Sequence, residues 1–266
     1  MNVTVIIPIH QYDENVSNLL NKAITSIANQ KENNIPKTII VYKSSIENDI
    51  INNPSIKILS SDNLQLLKND GNCDYQSQVN YAVEHVTTDY FSVLEFDDEY
   101  SSTYFYNVNK YIMTYPNVDV FMPIIIEVNK NNEGIKLTNE IVWSLHFVGE
   151  NGEMGYLNQK LLKEYTDLKL SGAVIKKSEF INIGKYKTNI KLTFMLEFLL
   201  RALNNTCKIY TIPKIGYKHL AMRDGSLFSD YLKNMPMNER KFWFDIAYKE
   251  YNFNNERFID ISNLNH

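Results

Sequence analysis

Hydrophobic and polar positions switch between two periods along the first hundred residues. Val3-Thr4-Val5-Ile6-Ile7-Pro8 is a β-branched run closed by proline, which predicts a buried strand entering a loop. Residues 16–30 place Leu19, Leu20, Ala23, Ile24 and Ile27 at helical spacing. Thr38 to Tyr42 predicts a second buried strand, and Ile56 to Leu59 a third, shorter one. Residues 75–86 return to helical spacing with Val79, Ala82, Val83 and Val86. Tyr90 to Leu94 predicts a strand that runs directly into Glu95-Phe96-Asp97-Asp98-Glu99. Strands alternating with helices imply an α/β fold, a mostly parallel twisted sheet flanked by helices with right-handed crossovers. Ligands of such sheets sit beyond the carboxyl ends of the strands. Pro8 to His10, Lys43 to Ser45 and Asp97-Asp98 all fall at such ends.

The second half is less regular. Val118 to Val128 predicts a strand interrupted by Pro123. Trp143 to Tyr156 predicts a polar-aromatic loop carrying Gly149, Gly152 and Gly155, and the cluster Asn129 to Asn132 a further loop. Ser171 to Lys176 is a short apolar segment, Leu192 to Leu203 an apolar helix, and Lys208 to Ile212 a closing strand. Residues 229–266 are helical in part and predict an extension of the domain formed by residues 1–228.

Composition narrows the function. The 266 residues are 44% hydrophobic, enough for a buried core. The net charge of −4, with no long basic run, argues against a nucleic-acid partner, because phosphate binding needs a cationic surface. No segment reaches the ~18 apolar residues of a membrane span, so no transmembrane segment is expected. Cys73 and Cys207 form neither a metal-type pair nor a disulfide framework, and they predict reduced thiols in a cytoplasmic protein.

The chemistry concentrates in Glu95, Asp97, Asp98 and Glu99. Carboxylates this close repel unless a cation or basic groups offset them. Hard oxygen ligands suit Mg²⁺ or Mn²⁺. A divalent ion so held stabilises a leaving diphosphate. The bland alternative is a solvated acidic turn after a strand.

In order and spacing, several segments resemble family 2 glycosyltransferases of the GT-A fold. They are Val3 to His10, Ala23 to Gln30, and Leu94-Glu95-Phe96-Asp97-Asp98. The resemblance runs from about residue 3 to 228. It implies transfer of a sugar from a nucleotide-sugar donor, a UDP-sugar first, to a glycan or other hydroxyl acceptor, with metal dependence and inversion. It puts Asp97 near the ribose or the metal and Asp98 on the metal. His10 takes a position that packs against the nucleobase, beside Pro8. The distal segment Tyr217 to Leu227 resembles the family's His followed by a Ser-rich loop. There His219 would ligate the metal, Arg223 and Lys218 would hold phosphate, and Ser226 would belong to the same loop. The alternative is a surface loop with one ordinary histidine.

Two departures stand out. Lys43 occupies a place where the family has an acid, and Asp74 one where it often has a base, so an exchanged ion pair is expected. The family's Glu-Asp pair at the start of its late helix, source of the catalytic base, aligns with Phe194-Met195. Glu197 and Asp167 are the substitute candidates, though Glu197 is equally well placed to pair with Arg201 one turn on. The rival function is a nucleotide-sugar or glycan-binding module that has lost catalysis. A nucleotidyltransferase would bring a Gly-rich basic phosphate loop near the N-terminus, and none is present.

Overall fold

The computed structural model describes residues 2–145, 147–148, 154–165, 167–221, 223 and 226–250. Strand β1 (Val3–Ile9) is buried along its whole length. Helix α1 (Glu14–Ala28) starts where the Asp13 side chain accepts from the Val16 N–H at 2.8 Å. It buries Val16, Leu20, Ala23, Ile24 and Ile27 at the predicted spacing. Then come β2 (Lys37–Tyr42), α2 (Glu47–Asn52), β3 (Leu64–Lys68), α3 (Tyr75–His85) and β4 (Tyr90–Val93). β5 (Glu99–Tyr100), α4 (Tyr104–Thr114), β6 (Val120–Val128), β7 (Gly134–Thr138) and α5 (Glu140–Leu145) follow. The chain continues through β8 (Phe147–Val148), β9 (Met154–Tyr156), α6 (Gln159–Glu164), β10 (Val174–Lys176) and α7 (Lys177–Asn182). It closes with α8 (Phe194–Asn204), β11 (Ile209–Leu220), α9 (Leu227–Asn234) and α10 (Met237–Glu250).

Among the described residues one sheet runs β3-β2-β1-β4-β10-β6-β11-β9-β8, with β5 on β11 and β7 on β6. β3, β2, β1 and β4 are mutually parallel, as are β6 and β11, and β10 runs antiparallel between β4 and β6. Strict alternation gives each face its own core. Ile6, Ile39 and Phe91 point to the side of α3 and α8, while Val5, Ile7 and Ile40 point to the side of α1 and α4. Removing Ile24 to Ala from this second core would cost about 2–5 kcal/mol. Gln30 ties α1 to the chain after β5. Its amide donates to the Ser101 carbonyl at 2.9 Å, and its carbonyl accepts from the Phe105 N–H at 3.2 Å.

Several expectations need correction. Ile56 to Leu59 is not the third strand. Pro54 to Ile58 forms a 3₁₀ turn, started by Asn53, whose side chain accepts from the Ser55 N–H at 2.8 Å, and by Pro54 with its fixed φ. The third strand is Leu64–Lys68, an edge strand with a single buried residue and no β-branched side chain to announce it. The segment from Trp143 to Tyr156 is not all loop, since α5, β8 and β9 occupy its described parts, while residue 146 and residues 149–153, with Gly149 and Gly152, lie outside them. The closing strand extends far past Ile212 to Leu220, with register shifts beyond Thr211 that absorb Pro213. β11 stays seated because Gly216 leaves room: a Cβ there would stand 2.3 Å from the Tyr104 ring.

The C-terminal helices join the core. Ala247 and Tyr248 are buried with α8, and Thr193 donates to the Trp243 carbonyl at 3.0 Å. Residues 251–266 lie outside the described part. No described helix is long and apolar enough to cross a membrane. Both cysteines are free thiols, Cys207 buried and Cys73 half-buried.

Candidate active site

The acidic turn begins where β4 stops beside β1. Leu94 continues the ladder, its N–H donating to the Ile6 carbonyl at 2.9 Å. Leu94 and Phe96 are buried, and these two apolar anchors fix the directions of the carboxylates between and after them. The Asp98 N–H then closes a turn on the Glu95 carbonyl at 3.0 Å. As a result Glu95, Asp97 and Asp98 each offer an oxygen within 4.8 Å of the others.

The end of β11 closes over this turn. His219 Nδ1 lies 3.0 Å from Asp98 Oδ2, and the Leu220 N–H donates to Asp98 Oδ1 at 2.8 Å. Arg223 Nε donates to Asp97 Oδ2 at 2.5 Å, with its guanidinium 5.0 Å from the centre of the Phe96 ring. Thus the fold brings His219 and Arg223, more than a hundred residues downstream, against Asp98 and Asp97. From behind, the Tyr217 hydroxyl accepts from the Glu95 N–H at 3.2 Å, and Ser171 Oγ donates to Glu95 Oε1 at 3.0 Å. Gly172 at φ +69° lets the Tyr217 ring approach, since a Cβ would stand 2.2 Å from it.

The electrostatics follow from burial. Burial, then the charges of Asp98 and Asp97, push the Glu95 carboxyl up to about 7. Burial and Asp98 also raise Asp97, against the pull of Arg223. Burial alone would lower His219, but the Asp98 charge and hydrogen bond hold its imidazole up at about 9. His10 moves the opposite way. Burial, then Arg223 and Lys43, lower it and favour the neutral ring, which lies 6.3 Å from Phe96.

Other expected residues have different tasks. Pro8 is buried inside β1, paired with Val41, so the strand end lies at Ile9 and His10 instead. Lys43 and Asp74 form no ion pair. Asp74 caps α3 by accepting from the Ser77 N–H and hydroxyl at 2.9 and 2.7 Å. Lys218 pairs with Glu99 at 2.6 Å across β11 and β5. The Ser226 hydroxyl caps α9 through the Ser229 N–H. Glu197 is fully buried and accepts from Arg201 Nε and Nη2 at 2.8 and 2.9 Å. The same guanidinium holds the Ile183 and Lys185 carbonyls. Both Glu197 oxygens are thus engaged by Arg201, with Lys187 Nζ 3.5 Å from Oε1. Asp167 is about half exposed and pairs with Lys136.

The sequence reading missed two features. Glu127, buried on β6 opposite His219, accepts from Lys169 at 2.7 Å and from Thr138 at 3.2 Å. A lone acid in Ile124-Ile125-Ile126-Glu127-Val128 is the signal that could have found it. The second is aromatic: Phe194, at the start of α8, packs on Tyr75 at 5.5 Å and Tyr186 at 5.4 Å. A cavity of about 240 Å³ lined by Thr4, Lys37, Asn63 and His85 lies at the opposite ends of the strands.

A curled, mainly parallel sheet with an acidic turn at a strand end defines a GT-A type α/β protein. The chain belongs to the Glycosyl transferase family 2, whose profile matches residues 4–179. That span ends before β11 and does not include His219 and Arg223. Among solved structures, the S. aureus TarS 1-349 complex with UDP-GlcNAc is similar, with a TM-score of 0.64 and 16% identity over 86% of this chain. The TarS 1-349 complex with UDP gives 0.63 and 12% over 92% of this chain and 78% of that one. The chain spans 61% of the first of these, and 46% of the longer S. aureus TarS structure, which gives 0.61 and 14% over all of this chain. At these identities the likeness establishes the fold. No curated protein matches the chain.

Proposed function

We propose that the chain is a metal-dependent glycosyltransferase that moves a sugar from a nucleotide-sugar donor, a UDP-sugar first, to an acceptor hydroxyl with inversion. One observation carries this reading: Asp97 and Asp98 at the end of β4 meet Arg223 and His219 from the end of β11. The similarity to TarS bound to UDP-GlcNAc and to UDP supports it.

The donor set fits Mn²⁺ or Mg²⁺, because three carboxylates converge within 4.8 Å and all offer hard oxygens. Asp98 and Asp97 would hold the ion, with His219 beside Asp98. When bound, the ion neutralises charge on a departing diphosphate. The side chains supply the rest. Arg223 presents a planar fork suited to phosphate oxygens. The neutral His10 ring, near Phe96, gives a nucleobase a flat uncharged surface. Lys43, whose charge reaches His10, adds a cation on the nucleotide side. Inversion needs a proton acceptor for the attacking hydroxyl. Of the two carboxylates first considered, only Asp167 is open to solvent, so it is the candidate that remains.

The rival reading, a binding module without catalysis, draws support from the apolar Phe194-Met195 and the sequestered Glu197. Calorimetric titration with UDP-sugars, with and without Mn²⁺, followed by donor-hydrolysis and transfer assays, separates the two. Metal-dependent binding with turnover is expected. Binding without turnover on any acceptor favours the module, and equal donor affinity in chelator overturns the metal site.

A further inference from the structure

The cavity of about 240 Å³ at the amino ends of the first strands has no part in the proposed transfer. The seven residues of β1 hold it about 20 Å from the acidic turn. Sheet alternation decides its floor. Ile39 belongs to the core on the α3 side, so Lys37, two residues before it, and Gln65, its partner on β3, point to that same side. The end of α3 and the link after it give one wall, with His85 and Thr87, and the turn before β3 gives the other, with Asp62 and Asn63. Lys37 Nζ donates to Thr87 Oγ1 at 3.3 Å, which ties floor to wall and leaves the hydroxyl proton and two ammonium protons to give. His85 Nδ1 faces the Tyr81 carbonyl at 3.0 Å. A carbonyl only accepts, so Nδ1 carries the proton, and Nε2 of the neutral ring is left as an acceptor. Among the described residues, the side chains of Asp62, Asn63 and Gln65 have no hydrogen-bond partner.

This lining selects a chemistry. Lys37 and Asp62 balance in charge, so neither an anion nor a cation is favoured. What remains is a mixture of donors and acceptors: an ammonium and a hydroxyl that give, a carboxylate and an imidazole nitrogen that take, and two amides that do both. A hydroxyl group also gives and takes, so a small molecule carrying several of them matches this set. The volume lies below the roughly 300–1,000 Å³ of pockets for drug-sized ligands, which suits one ring and is too small for a nucleotide sugar. We propose that this cavity is a second carbohydrate site that takes one neutral sugar ring, either a free monosaccharide or one unit of a glycan. It stands apart from the acidic turn and does not depend on the donor site.

The test is a titration of the isotope-labelled full chain, followed by NMR through its backbone amides. The probes are glucose, N-acetylglucosamine, maltotetraose, chitotetraose and, as the competing chemistry, inorganic phosphate. At least one sugar should shift the amides of residues 61–65 and 85–87 saturably. Asp62→Ala and Gln65→Ala should each weaken that binding roughly tenfold, as the loss of one hydrogen bond implies, and leave UDP binding unchanged. Both side chains are exposed, so the variants should fold. A tetramer that binds more tightly than its monomer makes a glycan the ligand, and equal affinity makes it a single sugar. The carbohydrate site is overturned if no sugar gives a saturable shift, if sugars shift only amides at the carboxyl ends of the strands, if both variants bind as the wild type does, or if phosphate alone occupies the cavity.

Discussion

The carboxylates at the end of β4 and the buried carboxylate of α8 are built in opposite ways. At the end of β4, Glu95, Asp97 and Asp98 share one small volume, and His219, Leu220 and Arg223 reach the two aspartates from the end of β11 and just beyond it, while Ser171 reaches Glu95. In α8, both oxygens of Glu197 bind the Arg201 guanidinium, and Lys187 Nζ lies 3.5 Å from one of them. The first arrangement holds more negative charge than its partners offset, and burial lifts Glu95 to about 7. In the second the single carboxylate is met by positive charge, and the other donors of Arg201 hold the turn at Ile183 and Lys185. Excess charge in a buried place is a reason to look for a ligand site, whereas a matched pair gives no such reason.

Substitutions can break this contrast, and the largest effect belongs to the pair in α8. Glu197→Ala leaves Arg201 buried without its carboxylate, so stability should fall by about 3–5 kcal/mol. Donor affinity in the protein that remains folded should not change. Thermal melts beside UDP titration check this; an unchanged melting temperature with abolished turnover would make Glu197 a catalytic base after all.

Asp98→Asn should behave conversely. Asn still accepts from the Leu220 N–H, so the stability loss should stay near 1–3 kcal/mol. The response of UDP binding to Mn²⁺ should disappear. A folded Asp98→Asn protein that keeps its full metal response would remove the acidic turn from the proposed site.

A smaller effect is a pH dependence. Glu95 is raised from 4.5 to about 7 in the folded protein, so the folded state holds an extra proton between those values and stability declines as pH rises through them. His219 is raised from 6.5 to about 9, so its contribution is complete below 6.5 and is lost as pH climbs through 9. Melting temperature should therefore fall from pH 5 to pH 9 as these groups titrate. Glu95→Gln should flatten the lower part of the decline and His219→Gln the upper part. A wild-type profile that rises over this range would contradict both assignments.

The smallest effect concerns Lys43 and Asp74. Asp74→Ala should cost about 1 kcal/mol through its lost helix cap. Since the two are not paired, a double-mutant cycle with Lys43 should show coupling near zero. A clear coupling in UDP affinity would mean that the two meet in the donor-bound state.

What could be read from the sequence was local. β1, α1, α3 and β4 each declare themselves by the period of their own side chains, and the acidic turn is contiguous, so its position at a strand end follows from the strand before it. Gln30 stood in a recognisable segment, but its bonds to Ser101 and Phe105 across the fold were invisible there. Tertiary structure decided everything that depends on which distant groups share a volume. It made Leu64–Lys68 a strand because β2 offered it a partner, and carried β11 past Pro213 to Leu220 because β6 lay alongside. It put His219 on Asp98 across 121 positions of chain and buried Glu197 against Arg201. The reason is physical: a side chain's period reports which face of its own element is apolar. The charge, water and partners it meets are set by the elements packed against that face.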